Sequence, residues 1–232
     1  MVALAARLHG VGFDVVTYDS RGHGQSGGLC TLGKDEGQDV AAVVAWARAR
    51  RRRVVLVGAS MGAVGALSYA AKDPALVGVV TVSSPGAWRL PFKVQSLLTA
   101  GLARTPPGRR WARRKMNVRI APWGSPDPAH VHLGTVQCPV VVIHGEQDPI
   151  IPWDSSLAKE VVGGSRRQLI LVPTMGHAFD PVSVDWICRA TARLVRDSVE
   201  AEAKAGYSES ETDPVGPDPA ERPRRLSPQP SG

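Results

Sequence analysis

The sequence lacks the features of a membrane-spanning or secreted protein. No apolar run approaches the length of about 18 residues that a transmembrane helix needs. The N-terminus has no cationic segment followed by an apolar stretch and a cleavage site. The cysteines are few, odd in number and far apart, at Cys30, Cys138 and Cys188, so we interpret them as reduced thiols that fill the core. These absences predict a cytoplasmic protein.

Acidic residues are missing from a long stretch in the middle of the chain. Between Pro74 and Pro126 there is no Asp or Glu. The same stretch contains nine basic residues: Arg89, Lys93, Arg104, Arg109, Arg110, Arg113, Arg114, Lys115 and Arg119. Such a pattern is typical of a cationic lid that meets anionic lipid or an acidic substrate. The interpretation that we favour is a solvated face in an arginine-rich chain, and the sequence leaves the cationic lid open as the alternative.

Large apolar residues are scarce after Asp197. Residues 198–232 are rich in Glu, Pro, Ser and Arg, and a segment of this composition cannot offset its ordering entropy by burial. We therefore predict a disordered, acidic tail over residues 198–232. Its seven acidic residues outnumber its four basic residues by three, and since the whole chain has a net charge of +7, residues 1–197 carry +10.

Apolar runs alternate with helical patterns along residues 1–197. The strand-like runs lie at residues 13–18, 54–57, 77–82, 140–144 and 168–172. This alternation predicts one α/β domain, with a mostly parallel sheet covered by helices on both faces. Residues 86–135 break the pattern, and we assign them to a short helical cap insertion that includes an amphipathic stretch at 94–102.

A candidate nucleophile follows the second strand-like run. Gly58-Ala-Ser-Met-Gly62 has the Gly-x-Ser-x-Gly form that puts a serine on a strand-to-helix turn. The turn is tight, so Gly58 and Gly62 are expected to let the strand and the helix come close together. Ser60 is expected at the strained apex with its hydroxyl free, which indicates a serine hydrolase.

A serine hydroxyl is a weak nucleophile and needs a base, which in turn needs an orienting acid. His177 is the predicted base because it follows the last strand-like run, on the sheet edge that carries Ser60. We interpret the histidines at 9, 130, 132 and 144 as structural. Asp148 is the predicted acid, because the chain order Ser60, Asp148, His177 is that of α/β-hydrolases.

Three other carboxylates lie near these positions. Glu146 and Asp154 remain competitors of Asp148 for the role of orienting acid. Asp180 is closer to His177 in sequence, but Asp180-Pro181 reads as a cap and first-turn proline of the last helix.

Four motifs in this order resemble the α/β-hydrolase superfamily, in particular its serine esterases, monoacylglycerol lipases and serine aminopeptidases. They are Asp19-Ser-Arg-Gly-His-Gly-Gln-Ser26, Gly58-Ala-Ser-Met-Gly62, His144-Gly-Glu-Gln-Asp148 with Pro152, and Gly176-His177, within residues 1–197. The resemblance implies that the insertion is a cap that shapes the acyl pocket. It implies that the backbone N–H of Met61 lies in the oxyanion hole, and it implies no metal and no organic cofactor.

The start of the chain departs from this family. Members begin with two strands and then a third, whose His-Gly loop gives the second oxyanion donor. Here residues 1–9 resemble the helix after that loop and residues 13–18 resemble the fourth strand. The resemblance therefore predicts a sheet without its N-terminal strands, and we expect upstream residues that supply them to raise both stability and turnover.

These residues predict a hydrolase of carboxylic esters, or of thioesters or amides, that acts on a small-molecule acyl substrate through an acyl-enzyme. An aminopeptidase or a cofactor-free haloperoxidase would use the same triad. A nucleophilic aspartate is excluded because Ser60 occupies the position of the nucleophile. A non-catalytic or impaired binding protein of the same fold is the alternative from another class, and the missing strands favour it. The pI is near 9.8, but no nucleic-acid recognition motif accompanies this basic charge, so we expect no nucleic-acid partner.

Overall fold

The computed structural model describes residues 2–50, 53–86, 105–122, 129–152, 156–161, 166–178 and 180–211. The α-helices in these ranges are α1 (Val2–Gly10), α2 (Glu36–Arg48), α3 (Met61–Ala70), α4 (Pro106–Lys115), α5 (Ala129–Thr135) and α6 (Ser183–Glu211). The strands are β1 (Val55–Ala59), β2 (Gly78–Val82), β3 (Val140–Gly145) and β4 (Arg167–Val172), and a 3-10 helix spans Leu157–Glu160.

The four strands form one parallel sheet in the order β1-β2-β3-β4. The two central strands, β2 and β3, are buried at every residue, as their continuous Val and Ile runs predict for strands covered on both faces. The register pairs Ala59 with Val82 and Gly145 with Val172. All carboxyl ends therefore lie at one edge of the sheet, where α/β proteins place their sites.

Helices cover both faces of the sheet. On one face Leu67 of α3 and Leu133 of α5 are fully buried in a core that includes the 3-10 helix. On the other face Leu8 of α1 and Leu194 of α6 enclose a second core. The predicted fold class, a mostly parallel sheet with helices on both faces, is confirmed.

The strand predicted at residues 13–18 is wrong. In the described part of the chain this segment joins no strand, and β1 forms the edge of the sheet. Phe13 and Val15 still pack on the core, while Val16 and Tyr18 are largely exposed. A strand needs backbone partners on a neighbouring strand, and apolar side chains alone do not supply them.

Two parts of the predicted cap insertion, residues 86–135, can be compared with the structure. Helix α4 lies within it and is described below. Helix α5, which the same prediction included, packs in the core through Ala129 and Leu133 instead. The predicted amphipathic stretch at 94–102 lies outside the described residues.

The described residues up to Arg196 form one compact unit. The tail prediction is wrong for residues 198–211, because α6 continues to Glu211. Residues 200–205 alternate Glu or Lys with Ala, and these are strong helix formers that need no apolar face to continue a helix. Residues 212–232 lie outside the described part. No helix among the described residues combines the length and apolarity needed to cross a bilayer.

Candidate active site

Ser60 occupies a strained turn between β1 and α3. Its φ of 52° and ψ of −119° lie in a region that non-glycine residues rarely adopt. Its N–H donates to the carbonyl oxygen of Val82 at 2.8 Å, and its own carbonyl accepts from Ala63 N at 3.1 Å. These bonds hold the turn against the end of β2, so Ser60 stands at the carboxyl edge of the sheet.

The two glycines of the motif differ in what they do. A Cβ on Gly58 would lie 2.7 Å from Ala63 Cα and 2.7 Å from the Gly62 carbonyl oxygen, so Gly58 permits the predicted close approach of strand and helix. A Cβ on Gly62 would meet no atom within 4 Å among the described residues. The packing role predicted for Gly62 is therefore wrong.

Met61 is the first residue of α3. The N–H groups in the first turn of a helix have no intrahelical acceptor and lie at the positive end of the helix dipole. The thioether sulfur of Met61 lies 3.4 Å from the buried Cys30 sulfur. Burial raises the pKa of the Cys30 thiol to about 12, so this thiol stays protonated.

Asp148 and His177 are in direct contact. The distances from His177 Nδ1 to the carboxylate oxygens of Asp148 are 3.0 and 2.9 Å. The Asp148 side chain is 1% exposed and that of His177 is 15% exposed. A carboxylate only accepts hydrogen bonds, so Nδ1 carries the proton and Nε2 keeps a lone pair for base chemistry.

The turn after β3 holds the Asp148 carboxylate. Its Oδ1 also accepts from the backbone N–H groups of Ile150 and Ile151, both at 2.9 Å. Burial alone would raise the pKa of Asp148, but the hydrogen bonds from His177 and these two N–H groups outweigh burial and lower it. Asp148 is therefore ionised at neutral pH and accepts the hydrogen bond from His177 Nδ1.

The loop after β4 turns back across the end of β3 to bring His177 to Asp148. The carbonyl oxygen of Met175 accepts from Gln147 N at 3.2 Å. A Cβ on Gly145 would collide with the carbonyl oxygens of Met175 and Gly176, so only glycine fits where this loop crosses the strand end.

Asp180 fixes the same loop at the entry to α6. Its carboxylate accepts from Gly176 N at 2.9 Å and from Val182 N at 3.0 Å. These hydrogen bonds lower the pKa of Asp180. Its carboxylate binds backbone rather than the His177 ring. The predicted cap and first-turn proline of the last helix are wrong, because α6 begins at Ser183 and both N–H donors precede it. Glu146 is exposed, and Asp154 lies outside the described residues.

His144 supports the turn that holds Asp148, a role that the interpretation of His144 as structural did not include. Its ring is fully buried at the end of β3, and Nε2 lies 3.1 Å from the Ile151 carbonyl oxygen. Burial lowers the pKa of His144, so the ring is neutral and Nε2–H donates this bond. The signal in the sequence was a strand-ending histidine four residues before Asp148.

The motif Asp19–Ser26 builds a compact loop. Asp19 Oδ2 accepts from Gln25 N at 3.1 Å, and Ser26 Oγ donates to the Asp19 carbonyl oxygen at 2.6 Å. Arg21 binds both carboxylate oxygens of Asp39 on α2. These contacts attach the loop to α2.

The sequence-predicted site residues thus fall into two groups. Asp148 and His177 are brought into contact, and Ser60 with Met61 stands at the same sheet edge, at the end of β1. The hydrogen bonds among the described residues engage Ser60 through its main chain.

A family model described as serine aminopeptidase, S33 (Hydrolase_4) matches residues 1–134, which is more than half of the chain. The chain belongs to this family of α/β-hydrolases. The family matches the resemblance inferred from the four motifs.

Solved structures of the α/β-hydrolase fold resemble the chain over most of its length. An esterase of Pyrococcus furiosus has a TM-score of 0.63 at 19% identity, with 85% of this chain and 75% of that chain covered. A monoacylglycerol lipase of Paleococcus ferrophilus has 0.59 at 21% identity, covering 84% and 88%. A bromoperoxidase of Bacillus anthracis has 0.62 at 16% identity, covering 83% and 85%. At these identities the likeness shows the fold.

Curated relatives of similar sequence are longer. Uncharacterised proteins from two Mycobacterium tuberculosis strains, CDC 1551 and H37Rv, are each 28% identical over 190 residues. The match covers 78% of this chain and 59% of each relative. The chain therefore spans less than two thirds of the length of these relatives.

Proposed function

We propose that this α/β-hydrolase is a serine hydrolase that cleaves carboxylic esters of small acyl substrates through an acyl-enzyme. Ser60 is the nucleophile, His177 the general base and acid, Asp148 the orienting carboxylate, and the Met61 N–H an oxyanion donor. The Asp148–His177 pair carries the proposal, because its bidentate contact leaves His177 Nε2 as a base on the edge that presents the strained Ser60.

In the first half of the reaction, Ser60 Oγ attacks the ester carbonyl carbon while His177 Nε2 takes the hydroxyl proton. The carbonyl π electrons move onto oxygen, and the Asp148 carboxylate stabilises the imidazolium that forms. The tetrahedral intermediate collapses with loss of the alkoxide, which takes the proton from Nε2. The acyl group then remains on Oγ.

In the second half, water attacks the acyl carbon and gives a proton to Nε2. Collapse of the second tetrahedral intermediate returns that proton to Ser60 Oγ and releases the carboxylic acid. The negative oxygen of both intermediates lies against the start of α3, where the Met61 N–H donates. One such donor is worth roughly 10² to 10³ in rate.

Ester cleavage is favoured over its alternatives because an esterase and a monoacylglycerol lipase are among the solved structures that share this fold. Amide cleavage by an aminopeptidase is the second candidate, because the matching family model carries that description. Thioester cleavage and cofactor-free haloperoxidase chemistry would use the same residues. The free thiols of Cys30, Cys138 and Cys188 support a reducing, cytoplasmic location as part of the proposal.

The test is turnover of a short p-nitrophenyl ester beside an alanine p-nitroanilide. We expect hydrolysis of the ester to exceed that of the anilide, and Ser60→Ala or His177→Ala to reduce both to background. The matched controls Ser198→Ala and His9→Ala, which lie outside the site, are expected to retain full activity. Anilide cleavage that exceeds ester cleavage would favour the aminopeptidase. A folded protein without turnover of either compound would favour the non-catalytic binding protein.

A further inference from the structure

Helix α4 presents a cationic face to solvent. Thr105 caps the helix by accepting from Gly108 N at 3.1 Å, and Ala112 is buried on its inner side. The exposed residues of the helix from Arg110 onward, which we call the cationic face, are Arg110, Trp111, Arg113, Arg114 and Lys115. Trp111 is 49% exposed although indole is among the largest side chains. Four basic residues and one exposed aromatic residue therefore share this part of the helix surface.

Interactions within the molecule do not account for these charges. Among the described residues no ion pair or side-chain hydrogen bond involves the four basic residues of the cationic face. The helix dipole favours cations in the last turn, which explains Arg113, Arg114 and Lys115. It does not explain Arg110 in the first half, where the dipole favours acids and the first turn has none. The face has a charge pattern that helix stability does not require.

The segment after α4 attaches this face to the edge that carries Ser60. Arg119 N donates to the Gly22 carbonyl oxygen at 2.7 Å, and Cys30 N donates to the Arg119 carbonyl oxygen at 2.7 Å. Cys30 in turn contacts Met61, the residue after Ser60. Residues 22–30 and 117–121, which form this attachment, contain no acid that would neutralise the face.

We propose that the cationic face docks on the surface of an anionic phospholipid bilayer. Guanidinium groups bind phosphates in a planar, bidentate way, and an indole among them suits the headgroup level, where Trp is enriched. The cations of the face repel basic partners, and its exposed indole favours the headgroup level of a bilayer. Docking holds the edge that carries Ser60 near the lipid. The proposal does not depend on catalysis.

The test is cosedimentation of the full 232-residue chain with vesicles of phosphatidylcholine, with and without phosphatidylglycerol. Binding is expected only with phosphatidylglycerol, and it should weaken steeply between about 0.01 M and 0.15 M salt, where the Debye length falls from ~30 to ~8 Å. Arg110→Gln with Arg114→Gln should lower the partition coefficient roughly 30-fold, for two basic residues near a charged surface. Gln matches Arg in helix propensity, so the helix should be kept.

The charge-matched control is Lys72→Gln with Arg166→Gln. Lys72 follows α3 and Arg166 precedes β4, so both lie near the amino ends of the strands, away from the carboxyl ends that carry Ser60. Both residues are exposed. This control should bind vesicles as the unmodified protein does. Trp111→Ala should cause a several-fold loss that persists at the higher salt. Equal losses in the control, binding to pure phosphatidylcholine, or binding to duplex DNA in place of vesicles would each overturn the proposal. These results would leave the proposed hydrolase untouched, because sedimentation requires no turnover.

Discussion

His144 Nε2 lies 3.1 Å from the carbonyl oxygen of Ile151 and ties the end of β3 to the turn that holds Asp148. The N–H of the same Ile151 donates to Asp148 Oδ1 at 2.9 Å. One peptide segment is therefore held on both sides, by a buried neutral imidazole and by the carboxylate that contacts His177. The orientation of Asp148 depends on a histidine that takes no proton in the proposed reaction.

Replacing His144 should loosen this turn. His144→Leu removes the donor to a part-buried carbonyl oxygen, and an unpaired polar group of this kind costs up to about 1 to 3 kcal/mol of unfolding free energy. His144→Gln keeps a side-chain N–H donor and should recover part of that loss. Urea denaturation measures both variants, with the exposed His9→Leu as the control. Equal losses for Leu and Gln would show that ring packing, and not the hydrogen bond, stabilises the turn.

Acidification should destabilise the protein in two stages. The pKa of His144 is lowered by burial, so the unfolded chain takes up a proton below about pH 6.5 while the folded ring stays neutral. Stability should fall below that pH by up to about 1.4 kcal/mol per pH unit for this one proton. The lowered pKa of Asp148 adds stability that is present above about pH 4 and is lost as pH falls through its folded value. In His144→Leu the free energy of unfolding should fall less between about pH 6.5 and about pH 4 than it does in the unmodified protein. An unchanged decline would assign it to other groups.

Asp148→Asn should keep the fold and lower ester turnover by about 10⁴. An amide donates to His177 Nδ1 and stabilises the wrong tautomer, so Nε2 no longer accepts the serine proton. Steady-state kinetics on a p-nitrophenyl ester measures the loss, with the exposed Glu146→Gln as the control. If Asp148→Asn loses less than tenfold, Asp148 is not the orienting acid and Glu146 or Asp154 becomes the candidate.

Gly58 and Gly62 flank Ser60, and we expect an added methyl group to have opposite effects on stability at these two positions. Gly58→Ala places a methyl group 2.7 Å from Ala63 Cα, and overpacking of this kind typically costs about 1 to 3 kcal/mol. Gly62→Ala meets open space inside a helix, where Ala is favoured over Gly by about 1 kcal/mol. Thermal unfolding should therefore show a lower Tm for Gly58→Ala and an equal or higher Tm for Gly62→Ala. The reverse order would mean that β1 and α3 are not in the close contact described.

The sequence predicted β1 to β4 well because all four appear as short apolar runs between turn residues, and the two central strands are buried on both faces. It failed at residues 13–18, where apolar side chains are present but no neighbouring strand pairs with the segment in the described part of the chain. It also failed at residues 198–211, where Ala, Glu and Lys continue a helix without an apolar stripe. Local sequence patterns indicate which side chains are buried. Whether residues 13–18 form a strand depends instead on backbone pairing, and whether residues 198–211 form a helix depends on helix propensity.

The candidate site was largely predictable because its residues follow strand ends. Ser60, Asp148 and His177 each lie just beyond a strand, and parallel strands bring those positions to one edge. The hydrogen bond of His144 was not predictable, since it depends on how a loop folds back over the buried strand end. The open space around Gly62 was not predictable either, because it depends on what surrounds α3 and not on the motif.

The most direct test of the central claim is peptide mapping after reaction of the protein with a fluorophosphonate probe. Such a probe forms a covalent bond only with an activated serine, so the account predicts one adduct, on the peptide that contains Ser60. Labelling should disappear in Ser60→Ala and in His177→Ala, and it should persist in Ser198→Ala. An adduct that remains in Ser60→Ala, or one mapped to another serine in the unmodified protein, would contradict the proposal that Ser60 is the nucleophile.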